Sequence, residues 1–275
     1  MQRRALLITI VLSVLAIAAG IVLSYVIDWF PVAASTQAHE TDTLYHVLVI
    51  ASVPIFVLVV AMILYCVWQF RMRPGEEEKD GPPIHGHTGL EVLWTAVPAA
   101  LVIGLVSYSF VVLHNNETRP KGPEIVVQVY ARQFQWSFKY PRSVTGGAPA
   151  ATTRLYLPEG EQVLFKIHSA DVIHGFWVPA FRVQIDAVPG ITTSLRVTPD
   201  RVGTYPLVCT VLCGAGHSLM RTNATVMKPA AFQAWATSHA GVSQPGALTD
   251  TGLGSEAPSA AGAGPGAGEA GEGSG

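Results

Sequence analysis

Residues 209–220 read Cys209-Thr210-Val211-Leu212-Cys213-Gly214-Ala215-Gly216-His217-Ser218-Leu219-Met220. Cys209, Cys213, His217 and Met220 are soft or borderline metal ligands, all within this one loop. A fifth candidate, His174, lies upstream in D-V-I-H-G-F-W-V-P-A-F (Asp171–Phe181). Thiolate, imidazole and thioether together suit copper, and a His₂Cys set with a weak axial Met marks an electron-transfer copper. The second cysteine, four residues from the first, changes the expected centre from one copper to two bridged coppers. Such a loop needs a scaffold that holds its ligands in place before metal arrives.

The sequence on either side supplies that scaffold. From Glu124 to about Met227, short runs rich in Val, Tyr, Phe and Thr alternate with Pro and Gly. Strands are expected at Glu124–Val129, Phe134–Tyr140, Thr153–Leu157, Gln162–Ile167, Thr192–Val197, Tyr205–Val208 and Thr222–Met227. Short strands at this spacing predict a sandwich or barrel. Ala230–His239 reads as one short helix, and beyond Gly241 the chain is Gly, Ala, Pro and Ser with a few acids and no Lys or Arg. That composition buries too little apolar surface to order itself.

Upstream the chain changes character. Of 275 residues, 49% are hydrophobic and only 13% charged, and mean hydropathy is +0.36. Soluble domains carry about 25% charged residues, so part of this chain belongs in lipid. Three apolar stretches, approximately Ala5–Ile27, His46–Phe70 and Val92–Leu113, approach the ~20 residues a span requires. The first could be a secretory signal with a poor cleavage site at Val32-Ala33-Ala34. Its apolar run exceeds the ~7–15 residues of a signal core, so a retained span is expected. Arg3 and Arg4 precede it, Arg71, Arg73 and Lys79 follow the second stretch, and neither Lys nor Arg lies between Asp28 and Tyr45. The positive-inside rule then puts the N-terminus and the 71–89 loop in the cytoplasm and everything after Leu113 outside. The Glu76–Glu78 run reads as a solvated loop.

The expected organisation is therefore an N-terminal span or signal (1–34), a transmembrane helical hairpin (35–115), an external all-β domain with a dinuclear copper site (116–240) and a disordered tail (241–275). Net charge is −2, which gives no reason to expect nucleic acid. Only Cys66 accompanies the loop pair, so no separate disulfide framework exists. A Cys209–Cys213 disulfide is the plain alternative outside the cytoplasm, and is expected only in an oxidised, metal-free form. No C-x-x-C-H occurs, so no attached c-type haem is expected.

The set His174, Cys209, Cys213, His217 and Met220 resembles the dinuclear copper A centre of cytochrome c oxidase subunit II. The Asp171–Phe181 run and D-A-V-P-G (Asp186–Gly190) are similar to the same family, over about residues 40–240. The resemblance implies a membrane α-helical hairpin, here with an extra N-terminal span, followed by a cupredoxin-like Greek-key barrel. It implies that His174 and His217 each bind one copper and that Cys209 and Cys213 bridge both. Met220 would be a weak ligand to one copper, and the backbone carbonyl of Val211 a ligand to the other. Glu91 matches a family glutamate at the mouth of a proton pathway into subunit I; the plainer reading is an acid favoured at a helix start.

Two positions depart from the family. Val211 stands where a Glu also helps bind a non-redox magnesium. A carbonyl ligand survives that change and a carboxylate does not, which puts a magnesium contribution in doubt. Phe134 stands where a Trp usually receives electrons from cytochrome c. In A-R-Q-F-Q-W-S-F (Ala131–Phe138), Trp136 is the remaining Trp, and strand alternation would put it on the same face as Phe134. Trp136 also reads as a core aromatic, as does Trp177.

Function follows from the same resemblance: a subunit of a respiratory haem-copper oxidase that accepts electrons singly and passes them to haem in subunit I, with oxygen reduction and proton pumping there. Expected partners are subunit I, subunit III, membrane lipid and a c-type cytochrome or equivalent donor. The expected location is a bacterial-type plasma membrane, with the copper domain on its outer face. Residues 116–229 carry twelve Lys or Arg against seven Asp or Glu, which disfavours a basic donor. The other classes are a membrane-tethered single-copper carrier, which leaves Cys209 without a role, a copper chaperone, and the copper A subunit of a nitric oxide reductase.

Overall fold

The computed structural model describes residues 2–72, 75, 86–118 and 122–248. Three helices come first: α1 (Gln2–Val26), α2 (Thr36–Gln69) and α3 (Thr88–Glu117). All three are long and apolar enough to cross a membrane. A helix satisfies its own backbone polar groups, as lipid requires, and Leu12, Phe56, Ile103 and Phe110 stand exposed along these helices. α2 and α3 start before the expected spans because their first turns are polar and capped by Ser35 and His87. Arg73, Lys79 and Glu76–Glu78 lie outside the described residues.

α2 spans 34 residues, ~50 Å at ~1.5 Å per residue, against ~30 Å of hydrocarbon. Its first turns therefore stand clear of the apolar stretch that begins near His46. They are tied to the β domain. Buried Ser35 caps the helix, its Oγ accepting from Ala38 N at 3.1 Å and donating to Phe181 O at 3.0 Å. Thr36 N donates to Thr198 O, Thr198 N donates to Gln37 Oε1 at 3.0 Å, and Arg182 pairs with Asp42 at 2.8 Å. α1 lies against α2, close enough that a Cβ on Gly20 would meet Val53 Cγ1 at 2.8 Å.

The β domain comprises β1 (Ile125–Arg132), β2 (Gln135–Tyr140), β3 (Ala150–Thr152), β4 (Leu155–Pro158), β5 (Val163–Ser169), β6 (His174–Val178), β7 (Val183–Ala187), β8 (Thr193–Val197), β9 (Gly203–Cys209) and β10 (Arg221–Met227). A short helix, α4 (Arg142–Thr145), follows β2, and α5 (Pro229–Ser238) follows β10. One sheet has the order β3-β2-β1-β5-β8 and the other β4-β10-β9-β6-β7. β1 pairs parallel with β5, and β4 with β10; the other ladders are antiparallel. This is the cupredoxin-like Greek-key class expected from the sequence. Alternation builds the core: Val127, Val129 and Ala131 of β1 and Val163, Phe165 and Ile167 of its neighbour β5 lie on one face of the sheet, all wholly buried.

Three strands were not expected. β6 is buried at four of its five positions, so it shows no alternation. β3 is three residues long, and β7 keeps only its last residue fully buried. Residues 241–248 also differ from expectation. Residues 242–244 pair with β3, Ala151 N donating to Val242 O and Gln244 N to Ala151 O, and Gly246 and Leu248 bond the Gln135 and Ser137 side chains of β2, so hydrogen bonding orders what composition alone would not. The rest of that expected tail lies outside the described residues.

Candidate metal centre

β9 ends at Cys209, the chain loops through Gly214 and Gly216, and a 3₁₀ turn at His217–Leu219 returns it to β10. Cys209 N donates to Met220 O at 3.1 Å, which closes the loop at its base. His217 N and Met220 N bond back to Gly214 O and His217 O, fixing the final turn. His174 opens β6, the neighbour of β9, and Thr210 N donates to Gly175 O. A Cβ on Gly175 would sit 2.1 Å from Thr210 Oγ1. Any side chain there would have to displace Thr210.

The donor atoms converge. Cys209 Sγ lies 3.9 Å from His174 Nδ1 and 3.9 Å from Cys213 Sγ. Cys213 Sγ lies 3.6 Å from His217 Nδ1 and 3.8 Å from Met220 Sδ. The carbonyl of Val211 accepts from Cys209 Sγ at 3.3 Å, so it faces the sulfurs. His174 is fully buried, Met220 is 1% exposed and Cys213 4%. First-row metals bind thiolate at ~2.3 Å and imidazole at ~2.0 Å, so an ion fits between each sulfur and its imidazole. With two sulfurs, two imidazoles, a thioether and a carbonyl, the set fits copper. All six expected ligand positions meet here.

Protonation and orientation are set nearby. Asp171 Oδ1 bonds His174 Nε2 at 2.8 Å, leaving Nδ1 toward the sulfurs. Partial burial tends to raise the Asp171 carboxyl, but donors from Gln133 N, His174 and Val172 N outweigh it and hold it below its ordinary value. Burial, then the neighbouring Cys209, pushes the Cys213 thiol up to about 11. Asp171 and Gln133 were not anticipated as site residues. A carboxylate three residues before a ligand histidine was the available signal for Asp171; Gln133 had none.

Phe134 and Trp136 do not share a face. β2 begins only at Gln135, so Phe134 belongs to the turn after β1, where strand alternation does not apply. Phe134 is 38% exposed and its ring covers the loop backbone, leaving no room for a Cβ on Gly216 and crowding one on Gly214. Trp136 is buried in the core, edge-on to His174 at 6.1 Å and to Phe176 at 5.5 Å. Trp177 is half-buried, facing Gln184 and Val208 across its two ladders. Glu91 is exposed in the first turn of α3, its Oε1 accepting from His87 N at 3.2 Å while His87 Nδ1 accepts from Leu90 N. It sits a whole helix away from the metal ligands.

Comparison with known proteins identifies the family to which the chain is similar. Residues 22–112 match the family model for the cytochrome c oxidase subunit II transmembrane domain, and residues 149–227 that for its periplasmic domain. Cytochrome c oxidase subunit 2 of Thermostichus vulcanus is 30% identical, over 81% of this chain and 84% of that protein. The Synechocystis protein of the same name is 28% identical, over 83% of each. Heme-copper oxidase subunit 2 of Aeropyrum pernix is 38% identical, over 45% of this chain and 53% of its own length. A solved periplasmic domain of subunit II of cytochrome oxidase from Bradyrhizobium japonicum is 25% identical with a TM-score of 0.40, covering 44% of this chain and 96% of that one.

Proposed function

The chain belongs to the cytochrome c oxidase subunit II family, and on that premise we propose that it takes electrons singly from a c-type cytochrome or equivalent donor, holds them at a centre of two coppers and delivers them to haem in subunit I for oxygen reduction coupled to proton pumping. Membership makes it one subunit of an oxidoreductase, working with the other subunits of that assembly. Its apolar helices place it in a membrane with the periplasmic-type domain outside. A bacterial-type plasma membrane is the setting proposed, with subunit III as a further partner.

One observation carries this reading: each of two cysteine sulfurs, 3.9 Å apart, has its own imidazole nitrogen within 3.9 Å. Bound copper supplies one-electron redox chemistry at this point. The residues do the rest. Cys209 and Cys213 would hold the coppers through two shared sulfurs, which would spread charge and keep bond-length changes small. His174 is held by Asp171 in the tautomer that presents Nδ1. Buried Met220 and the loop backbone exclude water. Phe134, on the exposed side of the loop, is the proposed point where electrons enter, with Trp136 packed against His174 in the core. No magnesium is assigned to this subunit, because Val211 offers no carboxylate. Glu91 finishes the N-terminus of α3, and its exposure there also suits the mouth of a proton pathway into subunit I.

A single-copper carrier is disfavoured, since it would leave the buried Cys209 thiol idle beside His174. The test is metal analysis and paramagnetic resonance on the copper-loaded full chain. Two coppers per chain, with one unpaired electron shared equally, are expected. One copper per chain overturns the reading.

A further inference from the structure

We propose that Gln133 is a positioning residue that holds the two halves of the metal centre at a fixed separation before any metal arrives, an inference that rests on the dinuclear reading above. One half of the centre is His174 on β6; the other is the Cys209–Met220 loop. Gln133, in the turn between β1 and β2, reaches both. Its backbone N–H donates to Asp171 Oδ2 at 2.8 Å, while the other oxygen of that carboxylate bonds His174 Nε2 at 2.8 Å. Its side-chain Nε2 donates to the carbonyl of Cys213.

The side chain also lies flat on the loop, since a Cβ on Gly214 would come within 2.7 Å of Gln133 Nε2. This matters because the loop just beyond Cys213 reads Gly214-Ala215-Gly216, and glycine loses the most conformational freedom on ordering. Such a segment does not hold a ligand geometry by itself. An amide of this length is required for the role. Glutamate has the same reach but would present an acceptor to the Cys213 carbonyl, and alanine would leave that carbonyl without its donor. Residues that orient metal ligands typically alter metal affinity by ~10–100-fold when changed.

The full chain in detergent is compared as wild type, Gln133→Glu and Gln133→Ala. Two readouts are taken besides activity: hydrogen exchange across residues 209–220 in the metal-free chain, and the rate of copper loss to a chelator. The variants are expected to keep wild-type exchange in β1 and β5, while loop exchange rises about tenfold and copper is lost about 10–100-fold faster. A Gln133→Glu chain with wild-type loop exchange and wild-type copper retention overturns the proposal. If the introduced charge unfolds the whole domain, Gln133→Ala decides by the same two readouts. A wild type holding a single copper sinks the dinuclear reading, whereas a dinuclear wild type matched by both variants sinks only the role of Gln133.

Discussion

The Sγ atoms of Cys209 and Cys213 stand 3.9 Å apart. A disulfide needs ~2.05 Å, so these thiols are held apart yet close enough to share ions. On the dinuclear proposal, Cys209→Ser removes one shared ligand. The loaded chain should then hold at most one copper, and the equally shared electron should vanish from its resonance spectrum. Retention of two coppers with an unchanged spectrum would refute sharing by the two sulfurs.

Val211 faces the sulfurs through its backbone, so its side chain should be dispensable for copper. Val211→Glu and Val211→Ala should both keep the wild-type copper content by metal analysis. The glutamate variant, assembled with its partner subunits, should gain affinity for Mn²⁺. Copper loss in Val211→Ala would show that the side chain, and not the carbonyl, matters.

Gly175 follows a ligand and backs directly onto Thr210. Gly175→Ala should push the loop off β6, costing about 1–3 kcal/mol of stability as overpacking does and most of the bound copper. Gly122→Ala, where nothing lies within 4 Å, serves as the control. Thermal melting with parallel metal analysis decides; equal behaviour of the two variants would mean that the loop tolerates the displacement.

Protonation of Cys213 links pH to stability. The unfolded thiol ionises near ~8.5, whereas the folded, metal-free thiol is pushed up to about 11. Between these values the folded chain keeps a proton that the unfolded chain has lost, so stability falls as pH rises through that window. Reduced metal-free chain should melt lower at pH ~10.5 than at pH ~8.5, and Cys213→Ser should shrink that drop. Identical drops in both chains would rule out this thiol as the cause. Copper uptake should release protons, because the ligand is the thiolate.

Phe134 lacks the indole N–H and the lower ionisation energy of Trp. Phe134→Trp should speed electron uptake in stopped-flow measurements without changing the copper spectrum. Since residues 116–229 carry twelve basic against seven acidic side chains, a lysine-rich cytochrome should react slowly, with little further loss as salt rises. Rapid oxidation of such a cytochrome that salt strongly suppresses would reveal a local acidic patch.

The ligand set was legible because four of its members share one loop and soft ligands rarely cluster by chance. The barrel was legible where strands alternate, as in β1 and β5. It was not where a strand is buried on both faces, as in β6, or too short to show a period, as in β3. The exposed seat of Phe134 was missed because a turn precedes β2, and alternation carries no meaning across a turn. The residues 241–248 looked structureless because hydrogen bonding to β3 and β2 leaves no compositional trace. Asp171 bonds His174 three residues further on, a local signal that was not read, whereas Gln133 bonds Asp171 and the Cys213 carbonyl, both distant in sequence, and a polar residue in a turn does not announce its partner.

The stitching of Ser35, Thr36 and Gln37 to Phe181 and Thr198 makes the first turns of α2 a post to which the β domain is fixed. With α2 spanning the membrane as proposed, the β domain and its metal ligands would then keep their height with the helix instead of drifting on a loose linker. Tunnelling rates fall exponentially with distance. For any electron acceptor held at a fixed depth in the membrane, that post acts as a ruler, and one residue inserted at its foot would be read out as a slower rate and not as a weaker fold.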